Sequence, residues 1–343
     1  MTGKTKGSLE GERVLLIAPH FFSYESLIQT AIRSEGGETV YLDERPGNDF
    51  LTKGLIRSNA AILRGRIRSY YKRKLDELQE SGSFTKVLVI SPEALDGFIV
   101  EDMHRRFPDA EFVLYMWDSI RNKTGSRNEQ LLPLFDRRLS FDRDDCERFT
   151  GLRFRPLFFA PEYEEIPDFN DGAEFDISFV GSIHSDRYRI CKAIKNQAAD
   201  LGLNTFFYLY LSDRKLFWLY KATNRHMRGS RLDEFFYEPL PVTATSDVLA
   251  RSKCILDIQH PRQMGLTMRA IEVIGARRKL MTTNSAIARY DFYDPVNVLH
   301  IDRVDCDFSS DFITGPYRQP ASAITESYSI RGWLKEVLPP VVD

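Results

Sequence analysis

The sequence is poor in cysteine and contains no long hydrophobic run. Its four cysteines, Cys146, Cys191, Cys254 and Cys306, are far apart and form no C-x-x-C pair. This spacing argues against both a disulfide framework and a cysteine-based zinc site. No stretch approaches the roughly 18 apolar residues of a membrane-spanning helix, and the polar start MTGKTKGSLEGE lacks the apolar core of a signal peptide. We therefore expect a reduced, cytoplasmic protein.

The chain also lacks a strong net charge and the best-known catalytic fingerprints. Its formal net charge is -2 and its isoelectric point is about 6.4, so no overall positive field draws it to nucleic acid. No strand is followed by G-x-G-x-x-G, the pyrophosphate turn of dinucleotide-binding enzymes. The G-x-S-x-G elbow of serine hydrolases is missing as well. These absences disfavour a nucleic-acid partner, a dehydrogenase and a hydrolase.

Short apolar segments alternate with longer amphipathic ones, which is typical of parallel sheets with crossover helices. The length of 343 residues exceeds what one hydrophobic core usually serves, so two domains are expected. Strands are predicted at 13–19, 39–43, 86–91, 111–118 and 137–142, and again at 176–182, 204–211, 254–259, 278–284 and 298–302. The predicted organisation is α/β, with Rossmann-like domains at 1–160 and 176–325, a linker at 161–175, and a C-terminal helix and tail at 326–343.

Polar residues follow the first strand of the second series, where ligands of α/β proteins usually bind. In FVGSIHSDR, Gly181 would let a ligand approach the backbone, Ser182 and Ser185 could cap or donate, and Arg187 could pair with phosphate oxygens. A purely structural turn explains this motif equally well.

A second polar turn lies in CILDIQHPRQMGLTMRAIEVIGARRKLMTTN. After the predicted strand, a flexible loop leads into a helix whose Glu272 could accept two ribose hydroxyls. The alternative is a capped helix in which an early Glu complements the helix dipole. The candidate donor-binding residues of this stretch are Asp257, His260, Arg262, Gly265, Leu266, Thr267, Arg269 and Glu272.

At these residues the sequence resembles a known family. GLTMRAIEVIGARRKLMTTN is similar to the donor-binding segment of GT-B glycosyltransferases. DISFVGSIHSDR, LDIQHP and YMWDS resemble the CgeB-like and group-1-like transferases of bacterial capsule and lipopolysaccharide synthesis. The resemblance implies a GT-B fold, with two Rossmann-like domains facing a central cleft, a closing C-terminal helix, and a nucleotide sugar held by the second domain.

One departure from the family concerns the first Glu of its E-x7-E pattern. The corresponding stretch here is HPRQMGLT, which contains no carboxylate. Retaining stereochemistry therefore cannot be inferred from the resemblance, and His260 or Arg262 could take over part of that contact.

An inverting transfer needs a base for the acceptor hydroxyl, and His20 and Asp118 follow predicted strands of the first half. The alternatives are a loop histidine bonded to backbone and an N-cap of the segment SIRNKTGS. The acids of DRDD, Asp142 to Asp145, are interpreted as helix-start charges, so neither a metal nor another cofactor is expected.

Two basic stretches carry apolar and aromatic residues. Residues 53–74 hold eight basic and no acidic residues, and residues 214–231 hold six basic residues with three aromatics among them. Such stretches suit the headgroup region of an anionic bilayer, although a solvated helix face explains them too. The candidate membrane contacts are Lys53, Arg57, Arg64, Arg66, Arg68, Arg214, Lys215 and Trp218.

The sequence as a whole predicts a glycosyltransferase that moves a sugar from a nucleotide-sugar donor to a glycan or lipid-linked acceptor in bacterial surface polysaccharide synthesis. It would act in the cytoplasm or at the inner face of the cytoplasmic membrane. The alternatives are a non-catalytic scaffold of the same fold and a sugar-nucleotide epimerase. The sugar, the nucleotide, the acceptor, the linkage and the oligomeric state stay open.

Overall fold

The computed structural model describes residues 7–21, 23–120, 128–168 and 173–340. Within these residues the chain forms two compact units. The first unit contains the chain up to Leu157 and, in addition, the chain from Ile330 onward, whereas the second unit is Phe158–Ser329. No helix among the described residues is long and apolar enough to cross a membrane.

The first unit is built on a six-stranded parallel sheet with the order β2-β1-β3-β4-β5-β6. Residues of β1, β3 and β4 are almost all buried because helices cover both faces of a parallel sheet. The strands are β1 (Arg13–Ala18), β2 (Glu38–Asp43), β3 (Lys86–Ile90), β4 (Glu111–Met116), β5 (Arg137–Ser140) and β6 (Arg153–Phe154).

Six helices of the first unit follow or connect these strands, and aspartates start three of them. The side chains of Asp49, Asp96 and Asp142 each accept a hydrogen bond from a backbone N–H of the first turn. The helices are α1 (Tyr24–Ser34), α2 (Phe50–Asn59), α3 (Arg64–Glu80), α4 (Gly97–Arg106), α5 (Asn128–Leu131) and α6 (Arg143–Arg148), with 3-10 turns at Ala60–Leu63 and Leu132–Leu134.

The second unit has a five-stranded parallel sheet with the order β11-β10-β9-β7-β8. Its strands are β7 (Phe175–Ser182), β8 (Thr205–Tyr210), β9 (Ser252–Asp257), β10 (Lys279–Thr282) and β11 (Val298–His300). Its helices are α7 (Pro161–Glu164), α8 (Arg187–Asp200), α9 (Arg214–Thr223), α10 (Val242–Ala250), α11 (Met268–Gly275), α12 (Ser310–Thr314) and α13 (Ser322–Tyr328), with 3-10 turns at Arg225–Met227, Leu232–Glu234 and Ser285–Arg289.

The last helix, α14 (Ile330–Val337), belongs to the first unit. Trp333 is fully buried and packs edge-on against Tyr115 of β4, with ring centroids 5.0 Å apart. Arg331 pairs with the carboxylate of Glu35, just after α1, at 2.6 Å. The C-terminal helix predicted from its apolar spacing is therefore part of the first unit rather than a separate tail.

All ten predicted strands are present, and each end lies within two residues of the prediction. Strand β6 was missed because two residues show no periodicity. The segment 161–175, predicted as a linker, instead lies in the second unit and contains α7 and the first residue of β7. Tyr163 and Ile166 anchor it because both side chains are buried.

Candidate functional site

Two groups of predicted residues lie at the carboxyl edges of the two sheets. In the second unit, strands β7, β9 and β10 are neighbours, so the loops that follow them meet at one edge. Ligands of open α/β sheets bind at such an edge. We call this place the donor edge, and it includes the ends of these three strands and the loop after β11.

Arg187, predicted to bind phosphate, connects two loops of the donor edge. Its guanidinium donates to the carbonyl of Ser182 at 2.8 Å and to the carbonyl of Ile258 at 2.6 Å. The surrounding protein removes water from the group, and this desolvation lowers the pKa of Arg187. In the structure, Arg187 holds the ends of β7 and β9 together, and a phosphate contact stays a prediction.

Asp257 was predicted to touch the ligand, but the structure places it beneath the surface. It is buried, and its two carboxylate oxygens accept hydrogen bonds from the hydroxyls of Thr267 at 2.7 Å and Thr282 at 3.0 Å. Burial raises the pKa of Asp257. Asp257 thus positions the start of α11 against β10, and a contact with the donor stays a prediction.

The loop Gly265–Leu266 is also buried and is held through its backbone. Asn284 donates to the carbonyl of Met264 at 3.1 Å, and Gln263 donates to the carbonyl of Gly265 at 3.0 Å. Thr267 then caps α11 by accepting a hydrogen bond from the backbone N–H of Ala270 at 3.2 Å. The predicted flexible loop is a firmly bonded turn, so Leu266 has a packing role here.

Glu272, predicted to accept ribose hydroxyls, is only 4% exposed. Its carboxylate lies 2.7 Å from the guanidinium of Arg269, one turn earlier on α11. Burial and the nearby Glu272 carboxylate raise the pKa of Tyr163 on α7. The structure therefore places Glu272 in a buried pair with Arg269 beside α7, and a contact with ribose stays a prediction.

Gly181 and Ser182 end β7 at the donor edge. A β-carbon on Gly181 would lie 2.9 Å from Cζ of Phe179, so the ring of Phe179 occupies the space that the missing side chain leaves. The glycine is explained by this packing. Ser182 is exposed, so its side-chain hydroxyl is accessible to a ligand.

Arg303, which was not among the predicted site residues, follows β11 and links three loops. Its guanidinium pairs with Asp186 at 2.6 Å and donates to the side chains of Gln259 at 3.0 Å and Thr283 at 2.9 Å. These three partners follow β7, β9 and β10. A signal was present, since Arg303 comes directly after a predicted strand, as His260 does.

Two histidines meet at the same edge, with the rings of His184 and His260 5.4 Å apart. His260 is exposed, as is Arg262. Burial, together with the positive charge of Arg187, lowers the pKa of His184 to about 3. Burial also lowers the pKa of His260, and the positive charges of Arg262 and Arg187 lower it further. The cationic groups of this edge are therefore the guanidinium groups of Arg187, Arg262 and Arg303, of which Arg303 is paired with Asp186.

In the first unit, His20 follows β1 and is held by a buried carboxylate. Its Nδ1 lies 2.6 Å from Oε1 of Glu25 on α1, and the other oxygen of Glu25 accepts a long hydrogen bond of 3.4 Å from the backbone N–H of Phe21. The imidazole of His20 is 59% exposed, whereas the Glu25 side chain is 5% exposed. In the neutral tautomer whose Nδ1–H donates to Glu25, Nε2 is the acceptor nitrogen.

Aromatic side chains stand next to this pair. The ring of Trp117 lies 6.2 Å from that of Phe21 and 6.4 Å from that of Tyr24. The loop after β4 therefore lies against the loop after β1, beside His20. The partner of His20, Glu25, stands five positions later on α1 and was not among the predicted site residues.

Asp118, the other candidate base, is exposed and follows β4 in the next loop. The loop is well anchored, since Ser119 donates to Asp142 and the backbone N–H of Ile120 donates to Asp145 at 2.6 Å. Asp142 also caps α6, which agrees with a helix-start role for this acid. Most of the segment SIRNKTGS, which Asp118 was suggested to cap, lies outside the described residues.

The basic stretches form helices that are partly exposed. Residues 53–74 cover most of α2 and the first turns of α3, and Lys53, Arg57, Arg64, Arg66 and Arg68 are at least partly exposed. In the second unit α9 buries Phe217 and exposes Arg214, Lys215 and Trp218. A role of either surface at a membrane is a prediction.

No family model and no curated protein sequence matches this chain. Solved structures match it over nearly its whole length. An α-glucosyltransferase in complex with UDP and a 13-mer DNA containing a central A:G mismatch is 11% identical, with a TM-score of 0.59, and the match covers 96% of this chain and 95% of that one.

Two further structures are similar in the same way. HepE from Anabaena, in complex with UDP and glucose, is 8% identical, has a TM-score of 0.54 and is covered over 96% of both chains. A glycosyltransferase from Rickettsia africae ESF-5 is 9% identical, has a TM-score of 0.52, and the match covers 95% of this chain and 96% of that one. The chain therefore has the two-domain α/β fold of GT-B glycosyltransferases.

Proposed function

We propose that this chain is a glycosyltransferase that uses a nucleotide-sugar donor. The observation that carries the proposal is the match of both units to structures of glycosyltransferases. The match covers 95–96% of each chain. Two of the similar structures hold UDP, so a UDP-sugar is the first donor to test. The fold by itself does not determine the reaction, and the two sheet edges supply the chemical argument.

The donor edge of the second unit suits the diphosphate of such a donor. Arg187 and Arg303 hold its loops together through their guanidinium groups, and His260, Arg262 and Ser182 are exposed there. Cationic side chains and the free backbone N–H groups of helix N-termini stabilise phosphate oxygens. They would also stabilise the charge that develops on a leaving diphosphate, so the proposed transfer requires no metal.

The His20–Glu25 pair suits the acceptor. In the proposed step, Nε2 of His20 takes the proton of the acceptor hydroxyl as its oxygen bonds to the anomeric carbon of the sugar. The bond from that carbon to the diphosphate breaks, and the nucleoside diphosphate leaves with the electron pair. Glu25 orients the imidazole and stabilises its charged form. This arrangement favours an inverting reaction, for which Asp118 is the second candidate base.

The finer assignment rests on the resemblance in sequence. A glycan or lipid-linked acceptor and a role in bacterial capsule, lipopolysaccharide or exopolysaccharide synthesis are proposed from DISFVGSIHSDR and LDIQHP. The His20–Glu25 pair favours an enzyme over a non-catalytic scaffold, because a scaffold has no need of an exposed imidazole oriented by a buried carboxylate. Catalysis in the cytoplasm or at its membrane face follows from the same resemblance.

The test is a thermal-shift panel of UDP-, GDP-, ADP-, CMP- and dTDP-sugars on the purified chain. A ligand that binds only the folded state stabilises it and so raises the melting temperature. At a ligand concentration of a hundred times Kd, the free energy of unfolding increases by about 2.7 kcal/mol. We expect one nucleotide to raise it, and the double variant His260→Ala/Arg262→Ala to reduce the shift. Lys192→Ala/Lys195→Ala, on the exposed face of α8, is the matched control.

Turnover of the bound donor then separates the candidate activities. A transferase releases nucleoside diphosphate faster when an acceptor is added, whereas an epimerase converts the donor with no acceptor and keeps the sugar on the nucleotide. Binding of a donor with neither outcome would favour the scaffold. A chain that binds no nucleotide sugar in this panel would contradict the proposal.

A further inference from the structure

Three aromatic side chains come together beside the proposed base of the first unit. Phe21, the residue after His20, is 47% exposed, although phenylalanine is among the residues most often buried. Tyr24 and Trp117 are half-buried. The centroids of the three rings lie 6.2 to 6.4 Å from one another. We call the surface formed by Phe21, Tyr24 and Trp117 the aromatic patch.

The backbone around the aromatic patch is strained at two serines. Ser23, just before α1, has a φ of 62°, and Ser91, just after β3, has a φ of 41°. Residues other than glycine in this left-handed region are strained, and they cluster at binding and active sites. Next to Ser23, the backbone N–H of Tyr24 donates to the carbonyl of Phe21 at 3.0 Å. The buried hydroxyl of Ser91 accepts a hydrogen bond from the backbone N–H of Trp117 at 2.8 Å.

We propose that the aromatic patch binds the sugar ring that carries the acceptor hydroxyl, so that the nucleophile is a hydroxyl of a pyranose and not a lipid phosphate. The face of an aromatic ring carries partial negative charge. The C–H groups on one face of a pyranose carry partial positive charge, so the two faces attract each other. Their contact also removes apolar area from water. This inference rests on the proposed transferase activity.

The polar groups beside the aromatic patch suit the hydroxyls of such a sugar. His20 precedes Phe21 and Asp118 follows Trp117, and consecutive Cα atoms are about 3.8 Å apart. Both polar side chains are exposed. Nε2 of neutral His20 and the carboxylate of Asp118 are hydrogen-bond acceptors, and hydroxyl groups donate to acceptors. The oxygens of an ionised phosphate are acceptors themselves, so they find no matching donor in these two groups.

The presence of an oriented base also favours a hydroxyl nucleophile. A lipid phosphate is already ionised at neutral pH and needs no base to attack the anomeric carbon, whereas a sugar hydroxyl must lose its proton. In the proposed step this proton goes to Nε2 of His20, and the hydroxyl oxygen bonds to the anomeric carbon of the donor. The bond from that carbon to the diphosphate breaks, and the nucleoside diphosphate leaves with the electron pair.

The experiment measures sugar binding by the full chain in the absence of any donor. The probes are the methyl α- and β-glycosides of glucose, galactose, mannose, N-acetylglucosamine and rhamnose, observed by saturation-transfer NMR with irradiation of the aromatic protons of the protein. We expect at least one glycoside to bind and to receive saturation at the C–H groups of one ring face. Phe21→Ala and Trp117→Ala should each raise its Kd about fivefold to tenfold, whereas Trp117→Tyr should keep most of the affinity because it keeps an aromatic face.

The matched control is Phe236→Ala in the second unit. Phe236 is 44% exposed, close to the value for Phe21, and its replacement should leave sugar binding unchanged. Because Phe21 is exposed, Phe21→Ala should keep the melting temperature of the parent chain even if Trp117→Ala lowers it. Equal Kd values for Phe21→Ala and the parent, or a parent chain that binds none of the glycosides, would overturn the inference. Transfer to a polyprenyl phosphate in detergent micelles, with every glycoside inactive, would overturn it too and identify a lipid phosphate as the acceptor.

Failure of this inference is distinguishable from failure of the proposed function, because sugar binding is measured without a donor. A chain that binds a glycoside at the aromatic patch but no nucleotide sugar keeps the sugar site and contradicts the transferase. A chain that transfers from a nucleotide sugar but binds no glycoside does the reverse. In an active transferase, Phe21→Ala should raise the acceptor KM about fivefold or more with little change in kcat, since the lost contact is made in the ground state as well as in the transition state.

Discussion

The guanidinium of Arg269 lies 2.7 Å from the carboxylate of Glu272, and both side chains are largely buried. Removing one member of a buried ion pair leaves an uncompensated charge, which costs about 3–5 kcal/mol. We therefore expect Glu272→Ala to lower the free energy of unfolding by about 3 kcal/mol, measured by urea denaturation. The double variant Arg269→Met/Glu272→Leu should recover most of this loss.

The outcome also tests the ribose contact that the sequence predicted. If Glu272→Ala leaves stability unchanged but weakens nucleotide-sugar affinity, Glu272 contacts the donor.

His20→Gln should reduce glycosyl transfer by about 10²–10⁴-fold, the usual contribution of a general base. The donor-induced shift in melting temperature should not change, since the donor is assigned to the second unit. Glu25→Gln should cause a smaller loss, because the imidazole would keep its position but lose its ionic partner. Initial rates over a pH series provide the measurement.

Asp118→Asn is the comparison for the base assignment. A loss of transfer in this variant that exceeds the loss in His20→Gln would make Asp118 the base. Equal and complete loss in both would indicate that the two loops act together.

Arg303→Met should disturb the donor edge, since the guanidinium links Asp186, Gln259 and Thr283. Each hydrogen bond to a charged group contributes about 1.5–3 kcal/mol. We expect a loss of at least that size in the free energy of unfolding and weaker binding of the donor. Arg303→Lys keeps the charge but cannot reach three partners at once, so most of both losses should persist. Full recovery in Arg303→Lys would show that only the charge matters.

His184 predicts a pH dependence of stability. Its pKa is lowered to about 3 in the folded chain by burial and by Arg187, against an ordinary value of about 6.5. Between these values the unfolded chain binds a proton that the folded chain does not, so stability falls as the pH decreases from about 6.5 toward 3. His184→Asn should flatten this part of the curve, as measured by urea midpoints at a series of pH values. An unchanged slope would mean that other groups, such as His260, dominate.

The local pattern of apolar residues determined the class of fold. Segments such as RVLLIA and KVLVI are continuous apolar runs between polar turns, and a parallel sheet is the arrangement that buries them on both faces. Because parallel strands end at a common edge, the sequence also placed His20, Ser182 and His260 at sheet edges. These inferences need only neighbours along the chain, as does the C-terminal helix.

The partners of the polar groups were decided by tertiary structure alone. Asp257 is bonded to Thr282, which stands 25 positions away, and Arg303 is bonded to Asp186, which stands 117 positions away. The sequence does not show whether a carboxylate or guanidinium contacts a ligand or a distant residue of its own chain. The apolar period is a local property, but hydrogen-bond partners are set by how loops meet, and this difference explains why the fold was predictable and the burial of Asp257 and Glu272 was not.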